Sequence, residues 1–237
     1  MLHLSNISYS YPGRDRALSG VTARIARGVT ILAGPNAGGK TTLLRLLAGL
    51  LEAETGAISN GRSDARPLTA VDLRRMARMV MQDPDPQILG VRVGEDVMLG
   101  RAASNLGGAF ETEADRLAAK FGLKDFWHET VGALSYGQKR KLCLLHALLA
   151  GPLLLLLDEP FAGLDYPSAL ELRGFIREHA EAGLTQVIST HELEPVFDLA
   201  GHIVVVKDGE VAAEGVPEEL APRLGEWSVR RPGGGWM

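Results

Sequence analysis

Gly34-Pro35-Asn36-Ala37-Gly38-Gly39-Lys40-Thr41-Thr42 is the stretch that decides the fold. It fits the pattern G-x-x-x-x-G-K-[ST], and the demand behind that pattern is a phosphate cradle. A turn that wraps a triphosphate points several backbone N–H groups inward. Side chains would obstruct that approach, so glycines dominate. Lys40 then sets a positive charge against the β- and γ-phosphates, and the Thr41 hydroxyl is placed to ligate Mg²⁺. The flanks agree. Val29-Thr30-Ile31-Leu32-Ala33 reads as a buried strand, and Leu43, Leu44, Leu47, Leu50 and Leu51 recur at helical spacing. A helix that starts at the loop adds its positive dipole end to the anion site. A chance glycine-rich turn would not come with both a strand before it and a helix after it.

The chain of 237 residues is long enough for one large domain or two small ones. At 46% hydrophobic and 23% charged residues it has ordinary globular composition. The net charge of −4 argues against a broad nucleic-acid footprint, so no nucleic acid is expected as a partner. The one cysteine, Cys143, lies in an apolar run and is expected to pack as a small hydrophobe. The first six residues lack a basic segment followed by an apolar stretch, so no signal peptide is read there. Residues 142–157 are strongly apolar and follow Lys139-Arg140-Lys141. They are short for a membrane span, however, and Gly151-Pro152 cuts them. The better reading is a buried helix to about Ala150, then a buried strand from Leu153 to Leu157. Any membrane role is therefore expected through a partner.

Upstream of the loop, residues 2–10 alternate as a strand, Tyr11-Pro12-Gly13 signals a turn, and residues 21–26 read as a second short strand. This predicts a small antiparallel sheet beside the nucleotide core. Tyr11 has two readings: a strand residue packing on the sheet, or an aromatic that stacks on adenine. Downstream, residues 57–59 suggest an edge strand, residues 70–78 a helix and residues 79–81 a buried strand. From Ile88 to Ala150 the pattern is mostly helical, which predicts a helical subdomain, at about 85–150, inserted into an α/β core.

Leu153-Leu154-Leu155-Leu156-Leu157-Asp158-Glu159-Pro160 is the second chemical landmark. So uniform an apolar run suits a parallel strand buried on both faces. Ligands of such sheets sit beyond the carboxyl ends of the strands, where Asp158 and Glu159 fall. One carboxylate can hold Mg²⁺ and the next can polarise a water as general base. Acidic residues also cap helices, and it is the phosphate loop that favours the catalytic reading here. Residues 185–190 read as another buried strand ending in His191, within reach of a γ-phosphate. Residues 203–206 and 211–213 flank Asp208-Gly209, a strong hairpin signal.

Taken together these residues resemble the nucleotide-binding subunits of ABC transporters, over about residues 2–220. The resemblance implies an α/β P-loop NTPase core of RecA-like type, with an N-terminal antiparallel β subdomain and the helical insertion. One ABC ATPase domain would span residues 1–222, followed by a short tail at 223–237. Walker A corresponds to residues 34–42, and Gln82 to the Q-loop glutamine. Leu134-Ser135-Tyr136-Gly137-Gln138 corresponds to the signature, and Leu153 to Asp158 to Walker B. Glu159 corresponds to the catalytic glutamate, Asp165 to the D-loop aspartate and His191 to the switch histidine. Tyr11 falls where the family's adenine-stacking aromatic sits, which favours stacking. Mg²⁺ would be held by Thr41, Gln82 and Asp158, and ATP would be the nucleotide. Ser135 and Gly137 would open a second phosphate-binding helix end, serving the ATP of a second cassette. The motifs are complete in one chain, which suits a homodimer; an unequal pair stays open. A transmembrane subunit would complete the assembly, at the cytoplasmic face of the membrane.

Three positions depart from the family pattern. Ala37-Gly38 stands where Gly-Ser is usual, Tyr136 replaces a signature glycine, and Phe161 replaces a common Thr or Ser. Residues 82–88 and 93–97 look like the energy-coupling-factor type, whose ATPases energise uptake of vitamins and of cobalt or nickel ions. The alternative of another class is a soluble ABC ATPase, similar to the iron–sulfur scaffold type, that assembles clusters and moves no solute.

Overall fold

The structure, a computed structural model, describes residues 1–13, 15–61 and 66–233. Leu2–Ser10 (β1) runs antiparallel to Arg16–Ile25 (β2), with Leu2 opposite Ile25 and Leu4 opposite Ala23. Val29–Ala33 (β3) feeds the glycine-rich loop, and Lys40–Leu47 (α1) leaves it. Thr55–Ser59 (β4) pairs with the other edge of β1, which closes a three-stranded antiparallel sheet in the order β2-β1-β4. A capping box between Thr69 and Asp72 starts Ala70–Met76 (α2), which passes directly into Ala77–Val80 (β5).

Helices Val93–Leu99 (α3), Phe110–Lys120 (α4) and Tyr136–Leu149 (α5) then follow, with short 3₁₀ turns between them. These helices fall between β5 and the next strand of the large sheet. The chain returns through Leu154–Asp158 (β6), Tyr166–Glu181 (α6), Thr185–Thr190 (β7), His202–Lys207 (β8), Glu210–Gly215 (β9) and Pro217–Leu220 (α7). The second sheet has six strands in the order β5-β6-β7-β3-β8-β9, parallel except for the final hairpin. That hairpin turns on Asp208 and Gly209, both with positive φ (52° and 79°), the geometry that two-residue hairpin loops favour.

The large sheet divides the core in two, and successive residues of one strand serve opposite sides. Ile31, Leu155, Leu157 and Ile188 pack with α3–α6, whereas Leu32, Leu156, Val187 and Val204 pack with α1 and the antiparallel sheet. A strand apolar on both faces is what such a layered arrangement requires. Truncating a fully buried residue such as Leu156 to alanine is expected to remove about 2–5 kcal/mol. Cys143 is buried among the helices as expected, and burial pushes its thiol up to about 12.

Some element limits differ from the sequence reading. β2 starts at Arg16, because Ser10 pairs with Arg16 before the apolar alternation begins. Leu153 lies outside β6 and is 70% exposed. β5 covers 77–80 rather than 79–81, in register with β6 from Ala77 opposite Leu154. The segment expected as a tail from 223 still packs inward as far as Val229, since Leu224 and Val229 belong to the helical-side core. Residues 234–237 of that tail lie outside the described residues.

Candidate active site

Register places the chemistry at one edge of the large sheet. Ala33 at the end of β3 lies opposite Thr190 of β7, and Asp158 at the end of β6 lies opposite Ser189. The glycine-rich loop, Asp158-Glu159 and His191 therefore emerge side by side at the carboxyl ends of adjacent parallel strands, where ligands of such sheets bind.

The loop is held rigidly. Gly34 has φ +143°, and a Cβ there would stand 2.0 Å from the Val206 carbonyl oxygen, so only glycine can sit against β8. The Gly209 amide donates to the Gly38 carbonyl (3.1 Å), which ties the β8–β9 turn to the loop. Lys40, 6% exposed, donates from Nζ to the carbonyls of Gly34 and Pro35 (2.9 Å each). Its Nζ also lies 3.9 Å from Glu159 Oε1. Burial lowers the Lys40 pKa, and the carboxylates of Glu159 and Asp158 oppose that. The residue before α1, Gly39, offers no side-chain cap. The first amides of α1 therefore have no side-chain acceptor at the cap and are free to meet an anion.

Thr41 Oγ1 donates to both oxygens of Asp158 (3.1 and 2.9 Å), and Ser189 Oγ donates to Asp158 Oδ1 (2.5 Å). Glu159 is 8% exposed and has φ +45°, uncommon for a residue with a side chain. Its Oε2 lies 3.0 Å from His191 Nδ1. Tyr11 is fixed by Arg45 Nη1, which donates to its hydroxyl (3.0 Å), and by edge-on contact with Tyr9.

Around these groups lies a cavity of about 730 Å³, within the size range of small-molecule sites. Tyr11, Asn36 to Thr42, Gln82, Glu159 and His191 all line it. The sequence reading missed five further lining residues: Asp15, Arg16, Ala17, Asp208 and Gly209. They arrive by tertiary packing of β2 and the hairpin turn against the loop. The turn itself was legible, but its destination was not.

The expected signature residues and Asp165 do not line the cavity. Leu134 is buried in the core, and Ser135 begins α5 with a capping box: its Oγ accepts from the Gln138 amide (3.2 Å), and Gln138 Oε1 accepts from the Ser135 amide (2.8 Å). Gly137 is partly buried, and Tyr136 is exposed but hydrogen-bonded to the Gln82 carbonyl (2.6 Å). Asp165 caps α6 by accepting from the Ser168 amide (3.0 Å), and hydrogen bonding with the Ser168 hydroxyl and then that amide lowers its pKa.

The donor set suits a hard cation. Thr41 Oγ1, Asp158 and the Gln82 amide are oxygen donors, as Mg²⁺ prefers. Among the described residues no group of three or more His, Cys, Asp or Glu could hold a metal ion. A single carboxylate and a hydroxyl fit an ion whose other ligands come from phosphate and water.

The ABC transporter profile matches residues 18–162, more than half of the chain, from β2 through the end of β6. This chain belongs to the ABC transporter ATP-binding family. An ABC transporter ATP-binding protein of Streptomyces coelicolor is 35% identical over 216 residues, which cover 90% of this chain and 82% of that protein. The energy-coupling factor transporter ATP-binding protein EcfA of Methanothermobacter thermautotrophicus is 33% identical over 226 residues, 93% of this chain and 72% of that one. Among solved structures, CbiO1 of Clostridium perfringens, part of the ABC transporter complex CbiONQ, superposes with a TM-score of 0.80. It is 29% identical and covers 94% of this chain and 90% of its own. The ABC cassette described here is accordingly an ATPase with the P-loop fold expected. Among the described residues no helix is long and apolar enough to cross a membrane.

Proposed function

We propose that this cassette energises solute import as the ATPase of an energy-coupling-factor type transporter, with a metal ion or a vitamin as the solute. The observation that supports it best is the division of the motifs. Residues 36–42, Gln82, Glu159 and His191 converge on one cavity, while Ser135 and Gly137 stand at a separate helix start. In this reading two cassettes face head to tail, and the Ser135–Gly137 helix end of each meets the phosphates bound by the other.

Lys40 and the loop amides hold the β- and γ-phosphates, and Tyr11 stacks on adenine. Thr41, Asp158 and Gln82 hold Mg²⁺, which neutralises charge on the phosphates. Glu159 orients the attacking water and accepts its proton. His191, already 3.0 Å from Glu159, fixes that carboxylate and reaches the γ-phosphate. Asp165 lies at the facing surface. ATP binding closes the pair and hydrolysis opens it, and the motion is passed to a transmembrane subunit at the cytoplasmic face of the membrane. The relatives EcfA and CbiO1 support the import type.

The test is a pull-down. A tagged Glu159→Gln variant, which binds ATP but turns over slowly, is recovered from gently solubilised native membranes with MgATP present. A co-purifying polytopic membrane protein is the expected result, and its identity narrows the solute. A second, different cassette would make the pair unequal. Soluble partners alone, with no membrane fraction, would sink the transport reading in favour of an assembly factor.

A further inference from the structure

Arg140 lies one turn into α5, is 2% exposed, and is not among the residues that line the cavity. Its hydrogen bonds go to carbonyls and a phenol rather than to a carboxylate. Nη1 donates to the Glu159 carbonyl (3.2 Å) and to the Pro160 carbonyl. Nη2 donates to the Gln82 carbonyl (2.6 Å) and to the Tyr136 hydroxyl (2.8 Å). Tyr136 in turn donates to the same Gln82 carbonyl (2.6 Å), and the guanidinium carbon lies 5.0 Å from its ring centre. One planar fork thus joins the backbone of Gln82, the backbone of Glu159 and the first turn of the signature helix.

Two details favour a positioning role over plain packing. Glu159 holds a left-handed φ of +45°, a strain that persists only where surrounding bonds over-determine it. Its amide is fixed by the Ser189 carbonyl (3.0 Å) and Ser189 Oγ (3.2 Å) on one side, and its carbonyl by Arg140 on the other. The second detail is the residue that completes the fork. Tyr136 stands where the family signature has glycine, and glycine has no hydroxyl to share the Gln82 carbonyl.

We propose that Arg140 and Tyr136 are positioning residues for hydrolysis. They clamp the backbone of Gln82 and Glu159 to the start of α5, so the signature helix and the hydrolytic groups of one chain move as a unit. The proposal rests on the assignment of Gln82 and Glu159 given above. When α5 shifts to meet the partner cassette's nucleotide, the clamp carries that shift to the water-orienting groups beside the chain's own nucleotide.

The experiment measures ATPase turnover and ATP affinity of the full chain with Tyr136→Phe, Arg140→Lys and Glu159→Gln. Tyr136→Phe keeps the ring at an exposed position and removes only the hydroxyl, which donates to the Gln82 carbonyl and accepts from Arg140 Nη2. The expected result is kcat lowered about tenfold with the ATP dissociation constant unchanged, because misplaced groups slow chemistry without weakening phosphate binding. Arg140→Lys, which cannot reproduce the fork, falls further. Glu159→Gln separates the two readings. If it keeps full turnover, the base assignment fails and the clamp proposal with it. If it loses turnover while Tyr136→Phe keeps normal kcat, the clamp alone is overturned. Should Arg140→Lys fail to fold, Tyr136→Phe still decides.

Discussion

Two glycine-bearing helix starts of the cassette, α1 and α5, are built differently. α1 begins after Gly39 with no side-chain cap, in a cavity also lined by the hairpin turn, Glu159 and His191. α5 begins with Ser135, which caps its own helix through Gln138 in an exposed position. An uncapped helix end in a cavity leaves its amides available to a ligand. A capped, exposed end is satisfied without one. The difference teaches that the first start is surrounded by groups of its own chain, whereas the second faces outward with its cap already satisfied.

The largest expected effect lies at the first start. Gly34→Ala puts a Cβ 2.0 Å from the Val206 carbonyl oxygen, and neither backbone can yield without opening the β3–β8 pairing. We expect a loss of about 3 kcal/mol, on the order of 10 °C in melting temperature. Calorimetry of the purified variant checks it; a melting temperature equal to the parent's would show that the loop is not pinned by β8. Next comes Lys40→Ala, which removes the buried cation and leaves the fold of the loop to its glycines. ATP affinity is expected to fall about a hundredfold, the scale of charge-assisted hydrogen bonds to phosphate. Burial lowers the Lys40 pKa, so in the parent protein ATP binding should begin to weaken at a lower pH than free lysine would dictate (about 10.4). Titration calorimetry over an alkaline pH series follows both effects, and near-parental affinity in Lys40→Ala would remove Lys40 from the cradle.

The two starts were unequally legible in the sequence, for a physical reason. The loop's chemistry is local: glycine, lysine and threonine at fixed spacing act through neighbouring backbone, so the pattern can be read directly. The same holds for β6, whose run of leucines announces burial on both faces, and for Asp158 at its end, now found bonded to Thr41. The residues that were missed are those brought in by distant chain. Arg16, Ala17 and Asp208 reach the cavity only because β2 and the hairpin turn fold over the loop. Ser189, which holds Asp158, reads in sequence as one more strand residue. Arg140 lies in the run Lys139-Arg140-Lys141, where its two neighbours make surface ion pairs with Asp85 and Glu171. Nothing in the order of three basic residues tells which one turns inward.

The exposed start gives smaller effects. Ser135→Ala removes the acceptor of the Gln138 amide, and a lost helix cap costs about 1 kcal/mol. Chemical denaturation reads that difference; no change in the midpoint would mean that water replaces the cap without penalty, and that Ser135 is held for another reason.

Gly137→Ala is expected to change stability least, by no more than about 0.5 kcal/mol, since most substitutions away from strained or buried features do little. A Cβ at Gly137 would meet Ser168 Oγ at 3.6 Å and Leu164 Cδ2 at 3.9 Å, both ordinary contact distances, so nothing within the chain demands a glycine there. That contrast with Gly34 makes the variant informative. If the two cassettes close over nucleotide as proposed, the backbone at Gly137 must approach the partner's phosphates. Turnover should then fall while melting temperature and single-chain ATP affinity stay at parental values. Unchanged turnover would instead separate Gly137 from the nucleotide sandwich and leave α5 with only its capping and clamping roles.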